Sequence, residues 1–400
     1  MTMSSIDYEI KLLSKMVAVN TDSMTKEGYS ECSALIVKEA EQNSLDAEVI
    51  DGESIAKDGF SRPNVVVSLD AGSDVTIILE SHFDIVPPGP SWIRPPFKLT
   101  VEGGKAYGRG TSDNKSAIAA ALGAMRLLKR EKPGVNLKLL AAVDEEVGGQ
   151  CGADYVLSTY GLKGDVALVL DSGPENLNLG ASGIIWGKVA VQGKQGHAGY
   201  PFKAKNAIEE AIKLVAALRP YKRMVEKKRS ILHAPHGAPK KFVWGRFTVT
   251  MIKAGEKENI IPGTCEFRFD RRLLPEEPIE EAEKELRAFF QKAVEESGLE
   301  AELKITHRQL GYCTSGKIKF VKTVSDCIKK TTAHRIVYAG ELGGNDGSFF
   351  AKNRIPVICY GPLRADTNYH GVDEFVYLED LKNTRDIIVN LGKTPRKRIL

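Results

Sequence analysis

The sequence predicts an α/β protein, a mixed and mainly parallel sheet sandwiched by helices, carrying a smaller inserted α+β domain. Three observations predict it. Over residues 1–180, short apolar runs suited to buried strands alternate with stretches of helical spacing. Over residues 181–308 the texture becomes strand, helix, strand, strand, helix, strand, the split βαβ order of a ferredoxin-like sandwich. Over residues 309–400 the first texture returns, so the larger domain is expected to be discontinuous.

Taken in order, VTIILE (75–80), LKLLAAV (137–143) and VALVL (166–170) read as buried strands because they are short, apolar and bounded by polar turns. Between the first two, KSAIAAALGAMRLLKR after Asp113 is rich in Ala and Leu at helical spacing, which predicts a helix. In the insert, GKVAVQG, GRFTVTMIK, TCEFRFDRR and AELKITHR are the strands; NAIEEAIKLVAAL and PIEEAEKELRAFFQKAVEESG are the helices. Cys265, Phe267 and Phe269 alternate with Glu266, Arg268 and Asp270, as a half-buried antiparallel strand requires. The last third adds a helix near 318–330, a Gly-rich loop at 343–348 and a buried strand at 355–360.

A chain of 400 residues exceeds one core of roughly 100 to 200 residues. Hydrophobic residues at 42% and charged ones at 27% exclude a disordered or collagen-like chain. No run approaches the ~20 apolar residues of a membrane span. The stretch MTMSSIDYEIKLLSKMVAV is amphipathic and carries acids, unlike a cleaved leader, so a cytoplasmic location is expected. Cys32, Cys151, Cys265, Cys313, Cys327 and Cys359 are scattered without a C-x-x-C pair, which predicts reduced thiols. A net charge of +4 is too slight for nucleic acid, and the basic stretches 222–229 and 393–398 lack interleaved aromatics.

Acids and histidines follow the apolar strands, where open α/β sheets place their sites. They stand in SHFD (81–84), GTSDNK (110–115), VDEE (143–146), LDSG (170–173) and NYHGVDE (368–374). Singly, each has a plainer reading: Asp113 as a helix cap, His82 as a core histidine, Glu145 and Glu146 as a solvated charge run, His370 as a loop residue. Jointly they point to metal, because carboxylates that converge repel unless cations lie between them, and imidazole with carboxylate suits zinc. Three carboxylates and two histidines serve two ions about 3.5 to 4 Å apart if one carboxylate bridges. Asp113, ahead of its helix, is the natural bridge.

With SHFDIVPPG, YGRGTSDNKS, DEEVGG, GKQGHAGYP, ENIIP and NYHGVDE in this order, nearly the whole chain resembles one family. It is that of aminoacylase, acetylornithine deacetylase, succinyl-diaminopimelate desuccinylase, and the glutamate and dipeptide carboxypeptidases. The resemblance implies a di-zinc exopeptidase fold with a lid and dimerisation domain at 181–308, a homodimer through that lid, and two Zn2+ per chain, with Co2+ or Mn2+ as substitutes. It further implies that His82 and Asp171 hold one ion, Glu146 and His370 the other, and Asp113 both. Glu145 becomes the general base, and Asp84 the carboxylate that fixes the His82 ring. His197 is expected to reach a partner's site and stabilise the oxyanion, while Asn259, Arg272, Gly344 and Asn345 hold the substrate.

The implied substrate is an N-acyl amino acid or a short peptide. The chain departs from desuccinylases, which usually carry an arginine pair where Ala181 and Ser182 stand and an arginine where Ser348 stands, so a second substrate carboxylate has fewer partners. Two other classes compete. A non-catalytic binding relative is opposed by retention of Glu145 beside every ligand. A nucleotide-binding protein, suggested by GRGTSDNKS ahead of a helix, is opposed by the lack of a Walker or G-x-G-x-x-G pattern.

Overall fold

The buried apolar runs form the middle of a sheet. A computed structural model describes residues 5–333 and 336–400, so the first four residues of the amino-terminal stretch lie outside it. Two compact units divide the chain: Met1–Leu179, Thr314–Ala339 and Asn345–Leu400 make one, Gly180–Cys313 and Gly340–Gly344 the other.

In the first unit, Asn136–Ala142, Thr76–His82, Val166–Val169 and Val357–Cys359 lie side by side and parallel. Parallel strands are buried on both faces, which is why these segments read as unbroken apolar runs rather than alternating ones. Pro63–Leu69 and then Asp46–Asp51 extend one edge antiparallel, and Asn176–Ala181 joins the other edge antiparallel at Cys359. The helix Ser116–Lys129 packs against Asp7–Ala18 and Leu378–Gly392. Its residues Ser116–Met125 are buried on every side, and small alanines allow that close approach.

In the second unit, Arg246–Ala254, Thr264–Arg272, Ile184–Gln192 and Ala301–Gln309 form an antiparallel sheet in that order. Numbered along the chain, that order is 2-3-1-4, the order of a split βαβ sandwich. Phe267 and Phe269 point into a core shared with Leu214 of Ala207–Ala217 and Leu286 of Ile279–Ser297. Residues 222–229, read above as a solvated basic face, belong partly to the helix Arg219–Lys227, which buries Tyr221 and Val225 and leaves its lysines outside. Gly340–Gly344 also joins this unit, from well beyond residue 308. All six cysteines are free thiols. Among the described residues no helix is long and apolar enough to cross a membrane.

Candidate metal centre

Four parallel strands end at one edge, and their carboxyl ends deliver the acids and imidazoles. His82 closes Thr76–His82, and Glu145 and Glu146 follow Asn136–Ala142 in the short turn Glu145–Val147. Asp171 follows Val166–Val169, and His370 lies in the loop beyond Val357–Cys359. Asp144 and His370 both hold left-handed backbone, each at φ 62°. For residues other than glycine this costs of order 1–3 kcal/mol each and persists where surrounding structure enforces it.

These residues converge as two clusters. His82, Asp113 and Asp171 bring one ligand atom each to within 4.8 Å of one another, and Asp113, Glu146 and His370 do the same. Asp113 belongs to both: its Oδ1 lies 3.0 Å from His82 Nε2 and its Oδ2 3.1 Å from His370 Nε2. His370 Nε2 is also 3.1 Å from Glu146 Oε1. Asp113 does not cap the helix that follows. The helix starts at Ser116, and Asp113 sits before it with φ −122° and ψ 89°, joined to Asn114 by a cis peptide bond. Its carboxylate faces both imidazoles. Glu145 belongs to neither cluster among the described residues.

The electrostatics match a centre built around cations. Burial would lower His82, but Asp113 and Asp84 outweigh it and hold the imidazole well above its usual range. Hydrogen bonds to Asp113 and Glu146 push His370 up to about 10. Against burial, those two histidines hold Asp113 well below the carboxylate range. Burial, with Asp113 close by, pushes Glu146 up to about 7. Glu145 is raised well above its usual value by burial and then, against His82, by Asp171 and Asp346. Protons thus occupy places where acids crowd, and divalent cations displace protons from such sites. Oxygen and imidazole donors in this number fit two borderline ions such as zinc.

Three carboxylates position this centre. Asp84 accepts from the backbone N–H of Glu145 (3.2 Å) and Glu146 (3.1 Å) and faces His82 Nδ1 through its own Oδ1 at 3.3 Å. With the Asp84 carbonyl also 3.1 Å from Nδ1, a proton belongs on Nδ1, which leaves Nε2 as the ring atom that would turn to a metal. Asp144 accepts from Tyr29 (2.9 Å), Lys26 (3.0 Å) and Arg62 (2.6 Å), anchoring the Glu145–Glu146 turn. Gly149 lets that turn close, because a Cβ there would meet Asp346 Oδ1 at 2.6 Å and Phe349 at 2.5 Å. Glu374 accepts from the backbone N–H of Gly110 (3.0 Å), Ser112 (2.8 Å) and Asp113 (3.0 Å), and from Arg109 (2.6 Å).

Glu374 and Arg109 are both buried, so Glu374→Ala leaves a buried guanidinium without its acid. A loss of about 3–5 kcal/mol is expected from urea unfolding of the metal-free protein; a loss under 1 kcal/mol would show that Glu374 is not what fixes the Asp113 segment.

The remaining expected site residues belong to neither cluster among the described residues. His197 and Asn259 are exposed on a small ladder of the second unit, where Gly196–His197 pairs with Ile260–Ile261 and Ala198 N–H donates to the Asn259 carbonyl (2.9 Å). His197 Nδ1 accepts from Gly199 N–H at 3.0 Å. Arg272 ends a strand with its Nε on Asp270 at 2.9 Å and 3.0 Å, whereas Arg271 is fully buried against Glu277. Gly344 has a steric reason of its own, since a Cβ would meet Gln309 Oε1 at 2.8 Å. Asn345, in the first unit, donates to Cys359 Sγ at 3.3 Å and accepts from Gly347 N–H at 3.1 Å.

Sequence reasoning assigned no role to Asp144, Glu374, Glu80 or Asp346. The first two stand inside quoted motifs, and an acid next to a ligand after a buried strand was their only signal. Glu80, two residues before His82, is buried with neither carboxylate oxygen hydrogen-bonded among the described residues. Burial raises it well above its usual value despite His82, with Asp171 and Glu145 adding to the rise.

Comparison with known proteins identifies the family and the fold. The description Peptidase family M20/M25/M40 matches residues 78–393. An uncharacterised metallohydrolase of Methanocaldococcus jannaschii is 28% identical over 421 aligned positions, covering 98% of this chain and 100% of that protein. A succinyl-diaminopimelate desuccinylase of Aromatoleum aromaticum is 29% identical over 324 positions, covering 78% of this chain and 79% of the relative. An M20 family metallo-carboxypeptidase of Sulfolobus solfataricus shares the fold, with a TM-score of 0.81 at 20% identity over 98% of this chain and 100% of that one.

Proposed function

Because the chain belongs to peptidase family M20/M25/M40 and is a metal-dependent amidohydrolase, we propose that it uses two zinc ions to cleave the amide bond of an N-acyl amino acid. The observation that carries this reading is the pair of clusters that share Asp113 and leave Glu145 beside them, unliganded. His82 and Asp171 would hold one ion, Glu146 and His370 the other, with Asp113 common to both sets; cobalt or manganese could substitute. The chemistry such ions would supply there is a more acidic water and a more electrophilic scissile carbonyl. Glu145 takes the proton of the attacking water on a carboxylate oxygen and returns it to the leaving nitrogen. Asp84 keeps the His82 ring and the Glu145–Glu146 amides in place throughout.

In the same reading, Asn259, Arg272, Gly344 and Asn345 hold the amino-acid half of the substrate, and His197 serves the oxyanion of a partner subunit's site. The protein acts in the cytoplasm as a homodimer through its second unit. Six free thiols support the reducing compartment. The edge strand Arg246–Ala254, with Met251 and Ile252 exposed, supports pairing with a second copy. Sedimentation is expected to give twice the 43.8 kDa chain mass; a monomer would remove His197 from the mechanism.

The test is hydrolysis by zinc-loaded protein of N-acetyl amino acids, N-succinyl amino acids and dipeptides. Turnover of an N-acyl amino acid supports the proposal, and turnover of peptides alone moves it to a carboxypeptidase or dipeptidase. No turnover by protein that retains two zincs would leave a non-catalytic binding relative.

A further inference from the structure

The basic stretch 222–229, for which the metal centre has no use, is more than a run of charge once folded. Residues 222–244 hold seven lysines and arginines against one acid, Glu226, whereas the whole chain carries a net charge of only +4. The remainder of the chain is therefore net negative, and the positive charge is gathered on one segment of the second unit. The helix Arg219–Lys227 buries Tyr221 and Val225, which turns Lys222, Arg223 and Lys227 outward. It runs directly into the strand Arg229–His233, which pairs antiparallel with Phe242–Trp244. Lys240 Nζ donates to the Glu226 carbonyl at 3.0 Å, and a Cβ at Gly245 would meet the Val225 carbonyl oxygen at 2.6 Å, so helix and ribbon are packed tightly together.

Residues directly opposite one another in an antiparallel pair share a face, as do residues two apart along a strand. Arg229 stands opposite Trp244 and His233 opposite Phe242, so these four lie on one face, while Ser230, Leu232 and Val243 are buried on the other. The first face is outward, with Arg229 and His233 exposed and both aromatic rings half-buried. Cations stand beside each ring: Arg229 at 5.7 Å and Lys241 at 5.5 Å from the Phe242 centroid, Lys240 at 5.1 Å from that of Trp244. The aromatics that 222–229 lacks in sequence are thus supplied across the ribbon. Nearby acids are engaged elsewhere: Glu277 and Glu285 hold Lys228, and Glu276 accepts from the Ser230 hydroxyl and the Ile231 N–H. Arg223, Lys227, Arg229, Lys240 and Lys241 form no ion pair among the described residues. Lysines often guard a sheet edge against a further strand, which accounts for Lys240 and Lys241 beside the edge strand Phe242–Trp244. It does not account for the helix cations or for two rings left on the outward face.

We propose that this helix and ribbon bind single-stranded nucleic acid, with phosphates along Arg223, Lys227, Arg229 and Lys241 and bases against Phe242 and Trp244. A polymer that alternates anions with flat rings matches a face that sets cations beside aromatics. An acidic polypeptide meets the cations but leaves the rings without stacking partners. A duplex offers phosphates with its base faces hidden. An anionic membrane is a poorer fit, because the connection 234–241 carries proline, glycine and lysine rather than large apolar side chains to insert, and Ile231 is the ribbon's one exposed large aliphatic residue. RNA and single-stranded DNA offer the same chemistry to this face, and the experiment includes both. The surface is separate from the metal clusters, so it stands independently of the amidohydrolase reading.

The experiment measures fluorescence anisotropy of labelled probes with full-length, zinc-loaded protein at about 50 and 200 mM salt. The probes are an oligouridylate and an oligothymidylate of about 12 nucleotides, a duplex of the same length, and an inorganic polyphosphate, which has the anions without the rings. Both single strands are expected to bind more tightly than duplex or polyphosphate; the tighter of the two names RNA or DNA as the preferred form. Exchanging three exposed cations together, Lys227→Gln, Arg229→Gln and Lys241→Gln, is expected to weaken binding at least ~10-fold and to flatten the salt slope by about 2, at roughly 0.7 per phosphate contact. Trp244→Leu is expected to weaken single strands roughly 5- to 150-fold and to leave polyphosphate unchanged. Should Trp244→Leu fail to fold, Phe242→Leu is read in the same way, and the triple exchange, confined to exposed side chains, decides regardless. Absence of oligonucleotide binding by wild type, duplex or polyphosphate held as tightly as single strands, or unchanged affinity in the triple exchange would overturn the proposal. Co-sedimentation with phosphatidylserine vesicles by a protein that ignores the oligonucleotides would overturn it in favour of a membrane surface.

Discussion

Glu145→Gln is expected to keep both metals and lose turnover by a factor of about 10²–10⁴, the usual contribution of a positioned general base. The expectation follows from where Glu145 stands. It adjoins Glu146, which lies in a cluster, but is itself in neither. Its carboxylate is raised well above the usual range by burial and by Asp171 and Asp346, against His82. A base needs a proton affinity above that of a free carboxylate, and a ligand cannot also be that base. Glutamine preserves the size and removes the proton acceptor, so metal content by mass spectrometry should not change. A variant as active as wild type would exclude Glu145. A variant that loses metal would show that Glu145 and Glu146 have exchanged roles.

Asp113→Ala is expected to reduce bound metal from two ions per chain to near zero, because Asp113 supplies one oxygen towards each imidazole. Asp171→Ala, which touches one cluster only, is expected to reduce it by about one. The metal-free Asp113→Ala protein offers a second readout. His370 stands at about 10 through hydrogen bonds to Asp113 and Glu146. Without Asp113 its pKa should fall towards the ordinary value near 6.5, which NMR titration of the ring can follow. Retention of both metals in Asp113→Ala would mean that the clusters are independent.

How much of this was legible in the sequence depends on which force set each element. The central parallel strands were readable because burial on both faces demands apolar residues without interruption, as in Thr76–His82. The antiparallel edge strand Asp46–Asp51 was not, because only Ile50 of its residues is buried and the pattern carries little signal. Asp113 was legible as a chemical group but not as a conformation. Its residue type suggests a cap, while its carboxylate is turned to the histidines by a backbone that Glu374 holds.

Glu374 and Glu80 were hidden for a shared reason. An acid in a sequence reads as exposed, and only the fold shows Glu374 gathering three backbone amides and an arginine, or Glu80 enclosed beside His82. The family resemblance supplied the roles of His197, Asn259 and Arg272, which local pattern alone would have left as a loop histidine, a turn and a surface arginine.

Anomalous diffraction at the zinc edge from crystals of the zinc-loaded protein tests the central claim most directly. The account predicts two peaks per chain, one in contact with His82 and Asp171, the other with Glu146 and His370, and both with Asp113. A single peak, or peaks that do not share Asp113, would contradict it.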